Sequence, residues 1–349
     1  MVTKFWSLIR HNWTSNRRRS AKVAGKKSMK YRFIAIIHYL KLSKPDCRIP
    51  LASGIISNKA SLLKDFLSYD NFLSLSTLGL FSIDEFQDKT FYVVDGDLGD
   101  VTKEEVDQYG TSLTYAYLRQ IQWLTNDFWT LRDNSIYVRD GFLFVYEDKI
   151  EKGFTFKADL SAINSKASTA IEPVVYTKEE IEEQAKDMQT ISVDDVRTGK
   201  ANFRDVTQFQ YFKSAKLGRK MMAWVYILHA RAINALTIKV LMYITAMEAL
   251  VSTSITELSH QVSERVAVLL GSDEEERVTI YNDIKKGYNV RSKTAHGEPL
   301  KEKEQDVKDM LIRLDNYMRR MMKFDTPYDL EQGKINEFFI KKLMGVSMV

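Results

Sequence analysis

The chain has 349 residues, of which 44% are hydrophobic and 11% aromatic, with only five prolines, and this composition excludes wholesale disorder. Its single cysteine, Cys47, excludes an intramolecular disulfide framework and a cysteine-rich zinc site, and predicts a free thiol in a reducing compartment. The formal net charge is +5, and the length predicts two domains.

Positive charge is concentrated at the start of the sequence. Residues 1–32 contain ten Lys or Arg and no Asp or Glu, so the remaining residues carry a formal charge of −5. A mildly acidic body does not hold polyanions by its overall field, so any binding of nucleic acid depends on local patches. We predict that residues 1–30 form a basic tail, which is either solvated or in contact with RNA.

The sequence shows no convincing secretory signal or membrane anchor. The residues after Arg17–Arg19 are polar and basic, where a signal peptide would be hydrophobic. The apolar run Phe33–Leu40 is too short to span a bilayer. We therefore expect a cytoplasmic protein without a membrane partner.

Residues 31–200 mix strand-like and helical patterns, which predicts an α+β domain with a regulatory or recognition role. The runs Tyr31–Leu42 and Ile49–Ile56 flank a turn cluster and are predicted to pair as strands. Further strands are predicted at 91–96, which ends in an Asp-Gly turn, at 135–146 as a hairpin about a second Asp-Gly turn, and at 154–158.

One long helix interrupts these strands. Its periodicity runs from Thr102 to about residue 132, and Thr102 with Glu105 forms the pattern of a capping box. The aromatic residues Trp123, Phe128 and Trp129 near its end either stack on a base or fill the core, and their size favours the core.

Residues 161–210 are polar and charged and predict a connector, in which Thr177 marks a helix start. Beyond this connector the sequence is almost wholly helical. The stretch 211–251 has no Pro and a single Gly, which predicts a long hairpin or a kinked pair of helices. Further helices are predicted at 255–270, 273–288 and 302–324, with an amphipathic segment through Leu343. The predicted fold class is α+β, with a mixed α/β N-terminal domain followed by an all-α bundle at 201–349.

The most specific motif lies in the helical half, where Arg291 is followed five positions later by His296 in the run Tyr-Asn-Val-Arg-Ser-Lys-Thr-Ala-His-Gly. Upstream stand the segment Ala-Met-Glu-Ala-Leu, centred on Glu248, and the segment Ser263–Leu270. This order of segments resembles the Apea-like branch of the HEPN superfamily, over residues 210–325 only.

The resemblance implies a helical bundle that dimerises, with the Arg and the His of the motif lining a cleft between the two subunits. Many HEPN proteins are metal-independent ribonucleases, and this branch is found in prokaryotic toxin and antiphage systems. The resemblance therefore implies an RNA substrate, a homodimer through the C-terminal helical domain, and an antitoxin or a phage-derived trigger as a partner.

The residue types themselves suit the cleavage of RNA. RNA carries its own nucleophile, the 2′-hydroxyl, so an enzyme needs a proton acceptor and donor and a cation for the charged phosphorane. Histidine as a residue type suits proton transfer near neutral pH, and arginine presents a planar fork that matches phosphate oxygens. We expect no metal and no other cofactor, because no cluster of Asp, His or Cys with the spacing of metal ligands accompanies the Arg–His pair. The acidic run Asp95–Asp100 lacks the closing Glu of a calcium loop and favours turn chemistry.

The spacing of the motif restricts its geometry. On a regular helix, at ~100° per residue, five residues rotate the side chain by about 140° beyond a full turn. Arg291 and His296 would then lie on different faces. We therefore predict that the motif straddles a loop and a helix start, or that the two residues come together from different subunits.

Glu248 stands among apolar residues, where a buried carboxylate requires a partner, and Arg291 and Arg265 are the candidates. We count Glu248 with Arg291 and His296 as catalytic, and favour positioning of Arg291 over direct acid–base catalysis. The candidates for substrate binding, which also suit a helix start, are Asn289, Ser292, Lys293 and Lys286. Ser292 stands where some HEPN ribonucleases have Asn, which puts the catalytic strength in question.

The leading hypothesis is a dimeric endoribonuclease of the HEPN type. Two alternatives remain open at this point. In one, Arg291 and His296 hold nucleic acid or a nucleotide without cleaving it. In the other, the helices serve only to dimerise.

Overall fold

The computed structural model describes residues 27–64, 66–67, 70–86, 88–201, 218–254 and 256–345. The predicted basic tail thus lies outside the described residues, apart from the first residues of a strand that begins at Lys27. The chain is an α+β protein that divides into two compact units. The first comprises the chain up to Phe128, Ile136–Ala162 and Pro173–Val206; the second comprises Trp129–Ser135, Ile163–Glu172 and the chain from Thr207.

The first unit is built on an antiparallel sheet of six strands in the order β3-β4-β5-β1-β6-β7. A second, two-stranded parallel sheet pairs β2 with β8. The strands are β1 (Lys27–Ile37), β2 (Leu40–Leu42), β3 (Arg48–Pro50), β4 (Ile55–Ser57), β5 (Thr90–Val101), β6 (Asp140–Tyr146), β7 (Phe154–Asp159) and β8 (Val174–Tyr176).

Strand β1 carries apolar side chains on both of its faces, which explains why it lies at the centre of the sheet. Phe33, Ala35 and Ile37 belong to one hydrophobic cluster, which the long helix α2 joins, whereas Ile34 and Ile36 belong to a second cluster. Successive side chains of a strand point to opposite faces, so a strand that is apolar at every position is covered on both faces. The helices of this unit are α1 (Phe72–Phe86, kinked at Gly79), α2 (Lys103–Asp127), α3 (Lys178–Ala185) and α4 (Val193–Arg197).

The predicted pairing of Tyr31–Leu42 with Ile49–Ile56 is wrong. Strand β1 pairs instead with β5 and β6, and residues 48–57 form a hairpin of their own, β3 with β4. The hairpin turn closes through the Leu51 amide, which donates to the Gly54 carbonyl at 2.7 Å. The predicted strand 49–56 therefore contains a turn, and its two halves pair with each other and not with β1.

Neither Asp-Gly pair makes the predicted turn. Strand β5 continues through Gly96 to Val101, and Gly141 is the second residue of β6. A Cβ atom on Gly96 would meet the ring of Tyr31 at 2.3 Å, and one on Gly141 would meet the ring of Phe33 at 2.7 Å. Glycine is required at both positions because the aromatic rings of β1 leave no space for a Cβ atom.

Two helix starts are confirmed by their capping geometry. The Thr102 side chain accepts from the Glu105 amide while the Glu105 carboxylate accepts from the Thr102 amide, so that α2 begins with a full capping box. Thr177 and Glu180 make the same reciprocal pair at the start of α3.

The second unit contains a bundle of six helices within its described residues. The first two form the expected hairpin, joined by residues 233–235, although the predicted start at 211–217 lies outside the described residues. The helices are α5 (Arg219–Ala232), α6 (Leu236–Val251), α7 (Leu258–Leu270), α8 (Glu274–His296), α9 (Glu304–Met321) and α10 (Gln332–Leu343). Each of these described helices is too short or too polar to cross a membrane, and the same holds in the first unit.

Two earlier segments of the chain complete this bundle. Trp129 is fully buried in the helical core, and its indole Nε1 donates to Asp315 Oδ1 at 2.6 Å. The second segment is residues 163–172. The buried ammonium of Lys239 donates a hydrogen bond of 2.9 Å to the carbonyl of Lys166 in this segment. Phe128, by contrast, lies in the core of the first unit, so both aromatic residues fill cores as expected.

Candidate site around Glu248, Arg291 and His296

The whole Arg-x4-His motif lies on α8, which runs without interruption from Glu274 to His296. The predicted end of this helix at 288 is therefore wrong, and so is a motif that straddles a loop and a helix start. No Gly or Pro stands between 288 and 296, so nothing stops the helix until Gly297, which takes the left-handed conformation with φ 70°. The polar residues of the motif thus belong to a helix end.

Glu248 and Arg291 are in contact in the structure. The carboxylate of Glu248, on α6, lies with Oε2 3.5 Å from Nη2 of Arg291. Its other oxygen accepts a hydrogen bond of 2.7 Å from the hydroxyl of Tyr288. Tyr288 and Arg291 are three positions apart on α8, so both reach the same carboxylate from one face of the helix.

Burial makes this group of three residues more than a surface ion pair. The side chain of Glu248 is 15% exposed and that of Arg291 is 34% exposed. Burial and the hydrogen bond to Glu248 both raise the pKa of Tyr288, so its hydroxyl remains a donor to the carboxylate at any physiological pH. Tyr288 thus holds the carboxylate of Glu248, and this carboxylate contacts one end of the partly buried guanidinium of Arg291.

Arg265, the other candidate partner of Glu248, makes different contacts. Its Nη1 donates to the carbonyl of Val251 at 2.7 Å and to Thr253 Oγ1 at 2.9 Å, and its Nη2 donates to Asn336. Burial lowers the pKa of Arg265. Its guanidinium therefore satisfies the end of α6, whose last carbonyls lack partners within the helix.

Arg219 was not singled out by the sequence, yet it holds the same helix end. Its Nη1 donates to the carbonyls of Ala249 at 3.1 Å and Ser252 at 2.7 Å. The residue stands at the first position of α5, and only the hairpin brings it beside the last turn of α6. In the sequence Arg219 is recognisable only as a cation directly after Gly218. This pattern is too common to indicate a site.

Two buried polar atoms beside the motif lack a hydrogen-bond partner among the described residues. They are Nε of Arg291 and Oγ1 of Thr294, which stand three positions apart on α8. Leaving a buried donor unpaired costs about 1–3 kcal/mol, so such atoms are uncommon without a ligand or an ordered water molecule. Arg291 thus has hydrogen-bonding capacity that the fold itself does not use.

The remaining candidates lie on the outer side of α8. Asn289, Ser292 and His296 are exposed and follow at intervals of three and four residues, so they form one stripe along the helix. Lys286 is also exposed, on an adjoining face. Lys293 donates to Glu302 at 3.1 Å, so any contact with a substrate competes with this ion pair.

Arg291 and His296 are not brought together within one chain. Because α8 is regular through both positions, their side chains diverge by about 140° around the helix. Arg291 faces Glu248, and His296 is exposed on the stripe that continues to Asn289. Of the two geometries that the spacing predicted, this helix excludes the motif that straddles a loop, and a pairing between different subunits stays a prediction.

Comparison with protein families, with curated proteins and with solved structures found no match to this chain. The described residues also contain no group of three or more His, Cys, Asp or Glu placed to hold a metal ion. The site itself offers a guanidinium, a carboxylate in contact with it, and an exposed imidazole.

Proposed function

We propose that this protein is a metal-independent endoribonuclease of the HEPN type, which acts as a homodimer through its helical unit. The observation that carries the proposal is the guanidinium of Arg291, held by Glu248 while its Nε remains buried without a partner. Such a group is suited to a phosphate, because guanidinium donors match phosphate oxygens in a charge-assisted, bidentate way. His296, five positions later, is exposed.

In the proposed reaction the 2′-hydroxyl of one nucleotide attacks the adjacent phosphorus. A neutral imidazole of His296 takes the hydroxyl proton, and the imidazolium so formed gives a proton to the departing 5′-oxygen. Arg291 stabilises the negative charge of the phosphorane. The bond from phosphorus to the 5′-oxygen breaks, which leaves a 2′,3′-cyclic phosphate and a 5′-hydroxyl.

The divergence of the two side chains supports a homodimer. A two-fold axis near the end of α8 would set Arg291 of one subunit beside His296 of the other, and would create two such pairs in one groove. Asn289, Ser292, Lys293 and Lys286 then border this groove and contact the RNA on either side of the cleaved bond.

The test is cleavage of RNA by the full chain in excess EDTA, with analysis of the product ends. We expect cleavage to persist and to give cyclic phosphates, since the proposed groups need no metal. His296→Ala should lower turnover by about 10²–10⁴, whereas His260→Ala, which also removes an exposed imidazole of the helical unit, should leave it unchanged. Loss of activity in EDTA with recovery in magnesium would overturn the proposal.

We further propose a cytoplasmic role in a toxin or antiphage system, with an antitoxin or a phage-derived trigger as partner. This role rests on the resemblance of the motif and its flanking segments to the Apea-like HEPN family. Expression of the chain should arrest bacterial growth, and His296→Ala should relieve the arrest.

A noncatalytic HEPN module that binds nucleic acid or a nucleotide is the second candidate. The observation that favours it is the separation of Arg291 from His296 within one chain, together with Ser292 at the position where some HEPN ribonucleases have Asn. A module that only dimerises is the third. RNA binding without cleavage would support the second candidate, and dimerisation without RNA binding would support the third.

A further inference from the structure

A groove runs between the two helices of the α5–α6 hairpin. It is lined by Glu248 but by no residue of the Arg-x4-His motif on α8. It is open to solvent and has a volume of about 430 Å³. The groove is lined by Arg219, Met222, Tyr226, Thr245, Glu248 and Ala249.

The helical periodicity of both segments explains how the groove forms. Its lining residues stand at positions i, i+3 and i+7 of α5 and at i, i+3 and i+4 of α6, so each helix contributes one face. Ala249 and Thr245 are small and leave space, while Met222 and Tyr226 are large and form an apolar wall. Arg219 stands beside Ala249 at one end, because its Nη1 donates to the Ala249 carbonyl at 3.1 Å.

The charges of the groove favour an anionic ligand. Glu248 is the one acid of the lining, and it is already neutralised by Arg291 at 3.5 Å. Arg219 adds a further positive charge, so these three side chains together carry +1. Of the three guanidinium nitrogens of Arg219, only Nη1 makes hydrogen bonds to described residues. The other two are therefore able to bind a phosphate.

Glu248 also retains free acceptor sites. A carboxylate has about four lone-pair positions, and Tyr288 and Arg291 take two of them. Guanine presents two adjacent N–H donors on its Watson–Crick edge, at N1 and at the 2-amino group. Adenine, cytosine and uracil each place at least one acceptor within the corresponding pair of positions, which a carboxylate repels.

We propose that the groove binds a guanine nucleotide, with the base against Tyr226 and paired to Glu248 and the phosphate on Arg219. The inference deepens the proposed function, on which it rests, by naming a guanine nucleotide of the RNA as the unit that the helical unit recognises. Stacking on an aromatic ring accepts any base, so the selection for guanine comes from the carboxylate.

The test is calorimetric titration of the full chain carrying His296→Ala with 5′-GMP, AMP, CMP and UMP. We expect GMP to bind at least about tenfold more tightly than the other three, as a bidentate pair of hydrogen bonds provides. Tyr226→Ala should weaken all four nucleotides, and Glu248→Gln should remove the preference for GMP. Ile312→Ala, an exposed position on α9, is the control that should change neither.

A second variant covers the case in which Glu248→Gln fails to fold. Ala249→Leu keeps the contacts of Glu248 and fills the groove, so it should abolish GMP binding while the thermal melt stays cooperative. Equal binding of the four nucleotides, or GMP binding that survives Ala249→Leu, would overturn the inference. Binding of methylguanidinium in competition with GMP would instead identify a site for cationic side chains.

The two proposals fail in different ways. Selective GMP binding by a wild-type chain that does not cleave RNA would refute the nuclease and leave the groove assigned. Cleavage without selective GMP binding, and without preference for guanine beside the cut, would refute the groove and leave the nuclease.

Discussion

At the scale of single residues, the contact of Glu248 with Arg291 separates positioning from chemistry. We expect Arg291→Ala or His296→Ala to lower RNA turnover by about 10²–10⁴, as for the loss of a charge stabiliser or an acid–base group, with folding intact. Glu248→Gln should lower both turnover and the melting temperature, because Arg291 and Tyr288 lose a charged acceptor. Steady-state kinetics beside calorimetric melts would measure both effects. If Glu248→Gln cleaves and melts like the wild type, Glu248 does not position Arg291.

His38, in the first unit, provides a second prediction at this scale. Its ring stacks on Tyr137 with centroids 4.6 Å apart, and burial, with a further contribution from Arg139, lowers its pKa from 6.5 to about 4. The unfolded chain therefore takes up a proton below pH 6.5 that the folded chain does not, so stability is full above pH 6.5 and falls toward pH 4. His38→Gln should make the free energy of unfolding fall less steeply over that window, as urea titrations at several pH values would measure. Equal slopes for the two chains would mean that the pKa of His38 is not lowered.

At this scale the sequence predicted one partner of Glu248 and missed the others. Arg291 follows from the rule that a buried carboxylate needs a cation, and the rule left only two candidates. Tyr288 was visible merely as the first residue of the motif, because a hydroxyl that pairs with a carboxylate has no pattern of its own. Arg219 was invisible, since only the hairpin of α5 and α6 places it at the end of the other helix.

At the scale of elements, local chemistry was predicted well and long-range pairing poorly. The capping boxes at Thr102 and Thr177 involve residues three positions apart, so four consecutive residues determine them. The role of Gly96 depends instead on Tyr31, which lies on another strand, and no local pattern distinguishes this glycine from one in a turn. Sheet register therefore had to come from the structure.

The end of α8 provides a prediction at the scale of elements. Gly297 ends the helix with φ 70°, where a side chain is strained, so Gly297→Ala should cost about 1 kcal/mol of stability. Gly333 is the matched control, because it lies in α10 and a Cβ atom there would meet nothing within 4 Å. Gly333→Ala should leave stability unchanged or raise it, since Ala favours a helix more than Gly does. Equal losses in the two variants, in chemical denaturation, would contradict the role given to Gly297.

At the scale of the whole molecule, the helical unit depends on segments that precede residue 200. A fragment of residues 201–349 would lack Trp129, so Asp315 would lose a hydrogen bond of 2.6 Å. It would also lack Lys166, whose carbonyl accepts from the buried Lys239. Uncompensated buried charge is strongly destabilising, so the fragment should melt well below the helical unit of the full chain. A fragment that melts as cooperatively and at the same temperature would show that these ties contribute little.

The last prediction at this scale concerns the arrangement of two subunits. It rests on the different directions in which Arg291 and His296 point from one helix. If each site takes Arg from one chain and His from the other, a heterodimer of Arg291→Ala with His296→Ala contains one complete site and one empty site.

Random mixing of the two variants makes half of the dimers mixed, so RNA turnover should return to about one quarter of the wild-type value. Each variant alone should stay at the level lowered by about 10²–10⁴, and the two unmixed variants are the controls. If Arg and His of a site instead came from one chain, no mixed dimer would hold a complete pair, and the mixture would stay inactive. Full activity of a strictly monomeric chain at nanomolar concentration would contradict the shared site directly, because a regular α8 keeps the two side chains apart.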